Sequence, residues 1–157
     1  MEPSTVHSTF TIERSYPHSP ERVFAAFADP EKKRRWFAPD EQVTVQKFEL
    51  DFRVGGREHL EFKMGPSAPI SGVITNNGTI ADLVPNKRFV SAYTMALDGR
   101  TFSVSLVTIE VLPSAAGTDL ICTHQGTFLE GSDGPEGRKH GWTVLLENLG
   151  KELAAGL

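Results

Sequence analysis

The 157 residues suffice for one domain, and a domain of that size buries roughly 68–70% of the surface its unfolded chain exposes, so neither metal nor disulfide is needed to hold it. A hydrophobic fraction of 39%, a charged fraction of 23% and a net charge of -4 exclude the disordered and membrane classes and argue against nucleic acid as a partner. A single cysteine, Cys122, excludes an internal disulfide and a cysteine-based zinc site and points to a reducing compartment.

The N-terminal stretch from Met1 to Phe10 carries Glu2 and His7 without the apolar core of a secretory signal. No run reaches the roughly 18 apolar residues of a membrane helix, so a cytoplasmic location without membrane partners is expected. Thr5 to Tyr16 alternates Phe10 and Ile12 with Thr9, Thr11 and Glu13, the period of a half-buried strand ending before Pro17. Ser19-Pro20-Glu21 and Asp29-Pro30-Glu31 each supply a capping side chain, a proline at the first helical position and a first-turn acid. Two short helices are expected, the first burying Val23, Phe24 and Phe27, the second running through Lys32-Lys33-Arg34-Arg35 to Trp36-Phe37-Ala38-Pro39. The basic run reads as a solvated helix face.

From Gln42 to Gly126 six strand-like runs alternate with turn residues, as in an antiparallel meander: Val43 to Phe52, Arg57 to Met64, Ile70 to Leu83, Arg88 to Met95, Thr101 to Leu112 and Thr118 to Gly126. Gly55-Gly56, Gly65 to Pro69, Val84 to Lys87, Asp98-Gly99-Arg100 and Pro113 to Gly117 are the breaks. A last helix is expected from about Pro135 to Ala154, its apolar stripe being Trp142, Leu145, Leu146, Leu149 and Leu153, with Lys139, Thr143, Glu147 and Lys151 opposite. Gly141 and Gly150 within it each cost about 1 kcal/mol against alanine, which suggests room for close approach of the sheet or for something bound beneath.

These elements bury their apolar sides together if a curved sheet of about seven strands wraps the final helix, the first strand closing against the last of the meander. The expected fold is α+β, a single helix-grip domain over residues 1–157 with two short helices after the first strand. A hollow between sheet and helix is the usual form of a small-molecule site. Strand alternation places Glu58 with Leu60, Phe62 and Met64, and His124 with Leu120 and Cys122, on the inner face, while Tyr93 shares a side with Phe89 and Ser91. Candidate ligand-binding residues are therefore Trp36, Phe37, Glu58, Leu60, Phe62, Tyr93, His124, Trp142, Leu145, Leu146 and Leu149. Each has an ordinary structural alternative: a hydrogen-bonded core histidine, a solvated Glu58 at the rim, aromatics that simply fill volume. Cys122 reads as an inert small hydrophobe. The five histidines show no metal-ligand spacing, no serine stands in a nucleophile elbow and Gly55-Gly56 lacks the helix and lysine of a phosphate loop, so no metal and no cofactor is expected.

Several words of the sequence, nearly spanning the chain, resemble the branch of the START-like, polyketide cyclase-like (SRPBCC, birch-pollen-allergen-like) superfamily named after the activator of heat-shock protein 90 ATPase. They are Ile12-Glu13-Arg14, Ser19-Pro20-Glu21-Arg22-Val23-Phe24, Trp36-Phe37, Asp51 to Gly56, Gly78 with Asp82 to Pro85, and His140-Gly141-Trp142 ahead of Leu149. The resemblance implies a helix-grip fold with a cavity and an association with stress response; it implies little about chemistry, because one superfold hosts many functions. The eukaryotic activators carry an additional N-terminal domain for chaperone engagement, for which this length leaves no room. Binding of a small hydrophobic molecule is the leading expectation. The alternatives are a polyketide cyclase-like enzyme using Glu58, Tyr93 and His124 as general acid or base, and a protein-partner or co-chaperone-like module using the Lys32 to Arg35 face, with homodimerisation left open.

Overall fold

The computed structural model describes residues 4–38, 43–64 and 71–156. Its strands are β1 (Val6–Tyr16), β2 (Val43–Leu50), β3 (Arg57–Met64), β4 (Val73–Val84), β5 (Arg88–Leu97), β6 (Arg100–Ser114) and β7 (Gly117–Phe128), and its helices α1 (Pro20–Ala28), α2 (Pro30–Phe37) and α3 (Gly134–Ala154). The seven strands form one antiparallel sheet in the order β1-β7-β6-β5-β4-β3-β2, so the meander pairs sequentially and β1 closes against β7. This is the α+β helix-grip arrangement expected from the sequence.

Local chemistry sets the boundaries. The Ser19 hydroxyl accepts from the Arg22 amide, and Asp29 ends α1 while its carboxylate accepts from the amides of Glu31 and Lys32 at the start of α2. The hairpin joining β5 to β6 turns on Asp98 and Gly99, both at positive φ, the twist-matched geometry for two antiparallel strands. Four expected strand ends shift by two residues, β5 running on to Leu97 and β6 to Ser114. β2 stops at Leu50, and Phe52 turns inward to meet Phe24 and Phe89 edge-on, at ring separations of 5.6 and 5.2 Å. β7 runs on to Phe128, because its pairing with β1 and β6 continues past Gly126. The expected break from Gly65 to Pro69, the start of the third run at Ile70, and the assignments at Met1, Pro39 and Gln42 lie outside the described residues.

The core concentrates at one end of the groove. Val23, Phe24 and Phe27 of α1, Trp36 of α2, Phe89 of β5, Ile109 and Val111 of β6, Leu120 of β7 and Leu146, Leu149 and Leu153 of α3 are all buried there. The Tyr16 hydroxyl donates to the Leu146 carbonyl at 2.7 Å, and a Cβ at Gly150 would stand 3.4 Å from the Tyr16 ring, so this glycine serves the approach of β1. α2 is fastened to its surroundings by charge: Lys33 donates to Glu58 of β3, and Arg35 grips Glu152 of α3 with contacts of 2.7, 3.0 and 3.2 Å. The C-terminal half of α3 thus packs against solid core, and its N-terminal half stands over the other end of the sheet.

Candidate functional site

Under that N-terminal half lies a cavity of about 450 Å³, within the range of small-molecule sites. Its floor is the inner face of β3 to β6, with Leu60, Phe62 and Met64 from β3, Ile74 from β4, Met95 and Leu97 from β5 and Phe102 from β6. Phe37 closes one side and Trp142, Val144 and Leu145 form the roof, Phe37 meeting Trp142 at a ring separation of 5.9 Å. The period-two alternation that makes these segments strands also gathers their apolar side chains here.

Several polar groups gather around Arg138, while Asn148 lines the cavity farther along α3. Across the sheet, Glu58, Gly78, Tyr93, Ser105 and Gly126 stand opposite one another in register, strand by strand. Ser105 and Ser103 are small and fully packed, and the space they leave admits the guanidinium of Arg138 from α3. Arg138 uses every donor it has: Nε to Asp133 at 2.8 Å, Nη1 to Tyr93 Oη at 3.1 Å and Ser105 Oγ at 3.2 Å, Nη2 to Ser103 Oγ at 2.8 Å and Asp133 at 3.0 Å. Asp133 precedes α3 and makes no side-chain cap; its carboxylate serves the arginine instead, beside the positive end of the helix dipole. Asn76, only 8% exposed, lines the same cavity, and its side-chain amide has no hydrogen-bond partner among the described residues.

Behind Tyr93 sits His124, with Nε2 at 3.1 Å from the phenolic oxygen. Its ring is stacked on Phe10 at 4.7 Å and on Phe128 at 6.1 Å, and its Nδ1 has no partner among the described residues. Burial, reinforced by the positive charge of Arg138, lowers its pKa to about 4, so the imidazole is neutral at pH 7. Burial likewise pushes the Cys122 thiol up to about 12, in keeping with an inert buried cysteine.

The sequence-predicted residues divide. Phe37, Leu60, Phe62, Tyr93, Trp142 and Leu145 line the cavity. Leu146 and Leu149 do not, because the tilt of α3 turns them into the solid core, and neither does Trp36, 1% exposed, whose indole donates to the Ala26 carbonyl at 2.9 Å. Glu58 is neither solvated nor lining: its carboxylate is taken by Lys33, and its side chain is 12% exposed. His124 is wholly buried and reaches the cavity only through Tyr93. The proposed acid–base trio therefore has one member at the cavity wall. Lys33 and Arg35 of the basic run are engaged within the fold, so that run is not the continuous solvated face expected. Arg138, Asp133, Asn76, Ser103 and Ser105 were not anticipated; the available signal was that Arg138 lies four residues before Trp142, on the inward stripe. Among the described residues no group of His, Cys, Asp or Glu has the geometry of a metal site, and no helix is long and apolar enough to cross a membrane.

The family described as Activator of Hsp90 ATPase homolog 1-like protein matches residues 17–154. The chain is 44% identical to the Mll3558 protein from Rhizobium loti, the match covering 96% of this chain and 99% of that one with a TM-score of 0.85. A putative uncharacterized protein from Rhizobium leguminosarum is 33% identical over 97% of both chains, with a TM-score of 0.87. Protein CV1439 from Chromobacterium violaceum is 30% identical over 91% of this chain and 95% of that one, with a TM-score of 0.74. Among curated proteins none matches.

Proposed function

The chain belongs to the Activator of Hsp90 ATPase homolog 1-like family, and from that premise we propose that it binds one small, largely apolar molecule between the sheet and the N-terminal half of α3. The observation that carries this reading is the cavity itself: about 450 Å³ walled mainly by apolar side chains from five strands and two helices, with a few polar side chains among them. The adjoining core is wholly buried at Ile109, Leu120 and Leu149, so an apolar-walled hollow of this size beside it needs a reason. A small guest is that reason, and it would add the buried apolar contacts that the cavity walls lack.

The enzyme reading has less support, since Glu58 is held by Lys33 and His124 is shielded by Tyr93. The interaction reading through the basic run is weakened in the same way by the internal partners of Lys33 and Arg35. The reducing, cytoplasmic setting inferred from the lone cysteine remains part of the proposal.

Native mass spectrometry of the freshly purified protein, followed by organic extraction, tests the reading. An excess mass that extraction removes, together with a stabilisation of about 2.7 kcal/mol when the extracted compound is added back at a hundred times its dissociation constant, is expected. A bare chain whose melting temperature is insensitive to a panel of apolar compounds of cavity size would contradict it.

A further inference from the structure

The hydrogen-bond bookkeeping around Tyr93 indicates what kind of oxygen a guest presents. The phenolic oxygen already accepts from Arg138 Nη1 at 3.1 Å, and its other neighbour is His124 Nε2, also at 3.1 Å. Two arrangements satisfy that second contact. With the proton on Nδ1, Tyr93 donates to Nε2 and a buried N–H is left without an acceptor, packed between Phe10 and Phe128. With the proton on Nε2, the histidine donates to Tyr93, the Nδ1 lone pair is left over, and the donor without a protein acceptor is the Tyr93 O–H. A donor orphaned between two rings is costlier than one that opens on the cavity, where water or a guest accepts it, so the second arrangement is favoured. The Tyr93 O–H, accepting from both Arg138 and His124, then has its own proton free, and Tyr93 lines the cavity.

A second polar group faces the same space. Asn76 is across the strand pair from Met95, two residues along β5 from Tyr93, and its amide lacks a partner among the described residues. Charge offers less. Of the basic side chains at the described cavity wall, Arg138 has all its N–H groups engaged and its charge matched by Asp133, and His140 stands at the exposed edge. A carboxylate brought into the apolar end would lose its hydration with no unmatched cation to meet it.

Resting on the cavity reading above, we propose that the site selects a neutral ligand bearing a carbonyl-type oxygen, with Tyr93 and Asn76 as its donors and Arg138 and His124 as positioning residues that turn the Tyr93 proton toward it. An apolar body occupies the space between Phe62, Met95 and Trp142, and the oxygen lies at the Tyr93 end.

Three probes of matched shape test this: acetylnaphthalene, isopropylnaphthalene and naphthoate, titrated calorimetrically into the wild type and Tyr93→Phe. The ketone is expected to bind the wild type about 2- to 12-fold more tightly than the hydrocarbon, the span of one neutral hydrogen bond, and naphthoate more weakly than either. In Tyr93→Phe the ketone's advantage over the hydrocarbon is expected to narrow by that one hydrogen bond, Asn76 still donating. An infrared shift of the ketone carbonyl to lower frequency on binding the wild type reads the hydrogen bond directly, without any variant. Equal binding of ketone and hydrocarbon, an unshifted carbonyl, or a preference for naphthoate overturns the selection while leaving the apolar site standing. Failure of all three probes to bind overturns the cavity reading, and the selection falls with it.

Discussion

Tyr93 Oη and His124 Nε2 lie 3.1 Å apart, and among the described residues the histidine side chain has no other hydrogen bond. Stacking on Phe10 and Phe128 holds the ring so that Nε2 faces Tyr93, and the hydrogen bond made there sets which nitrogen carries the proton. Nitrogen-15 NMR of histidine-labelled protein at neutral pH is expected to show His124 protonated at Nε2 and bare at Nδ1. The opposite tautomer would mean that Tyr93 donates to the histidine rather than into the cavity.

The depressed pKa of His124 gives stability a defined dependence on pH. The unfolded chain takes up the proton near 6.5, the folded one only near 4, so the contribution is complete above 6.5, declines as pH falls from 6.5 to 4 and is gone below. Its full size is on the order of 3 kcal/mol. Arg138, Asp133 and Tyr93 are the charged or titratable groups nearest the ring. Urea unfolding of the wild type and His124→Phe at neutral pH and near pH 4.5 isolates the histidine: the variant is expected to lose less stability over that interval. Equal slopes would show that His124 titrates alike in both states.

Arg138→Met removes a buried guanidinium and strands Tyr93, Ser103 and Ser105 together. Asp133 keeps access to water, its side chain being 34% exposed, so its orphaned charge costs less than a fully buried one. A destabilisation of about 2 kcal/mol is expected, visible as a lower urea midpoint at unchanged slope. A shift within a few tenths of a kcal/mol would show that the five hydrogen bonds merely offset the cost of desolvating the cation.

Two glycines are expected to respond with opposite signs. A Cβ at Gly126 would come within 2.9 Å of the His124 ring and 3.0 Å of the Phe128 ring, so Gly126→Ala presses on the packed histidine and is expected to destabilise by about 1–3 kcal/mol. A Cβ at Gly141 meets nothing within 4 Å, and Gly141→Ala is expected to stabilise α3 by up to about 1 kcal/mol. Thermal unfolding of both variants checks the pair; a destabilising Gly141→Ala would mean that α3 packs more tightly over the cavity than its geometry indicates.

Much of this architecture is legible in residue order, because strand alternation and helix caps are local. Ser19 and Asp29 declare two helix starts through chemistry completed within three residues, and both cap as read. Leu60, Phe62 and Met64 reveal one face of β3 by period alone. Arg138 is different: burying its charge depends on Asp133, Tyr93, Ser103 and Ser105, partners from a loop and two strands that nothing in the helix itself announces. Leu145 and Leu146 are neighbours on one stripe, and only the placement of α3 on the sheet sends the first to the cavity and the second to the core. The alternation of β3 points Glu58 inward, but a strand pattern does not contain the lysine from α2 that takes its carboxylate.

The cavity between sheet and α3 is the claim on which the functional account turns, and the heat-capacity change of binding tests it most directly. Titration of isopropylnaphthalene into the wild type at several temperatures is expected to give one site per chain and a negative heat-capacity change, the mark of apolar surface leaving water. Leu145→Trp, which fills the roof of the cavity, is expected to abolish that heat while the chain stays folded. Undiminished binding to Leu145→Trp, or a wild-type protein that takes up no probe, would contradict the account.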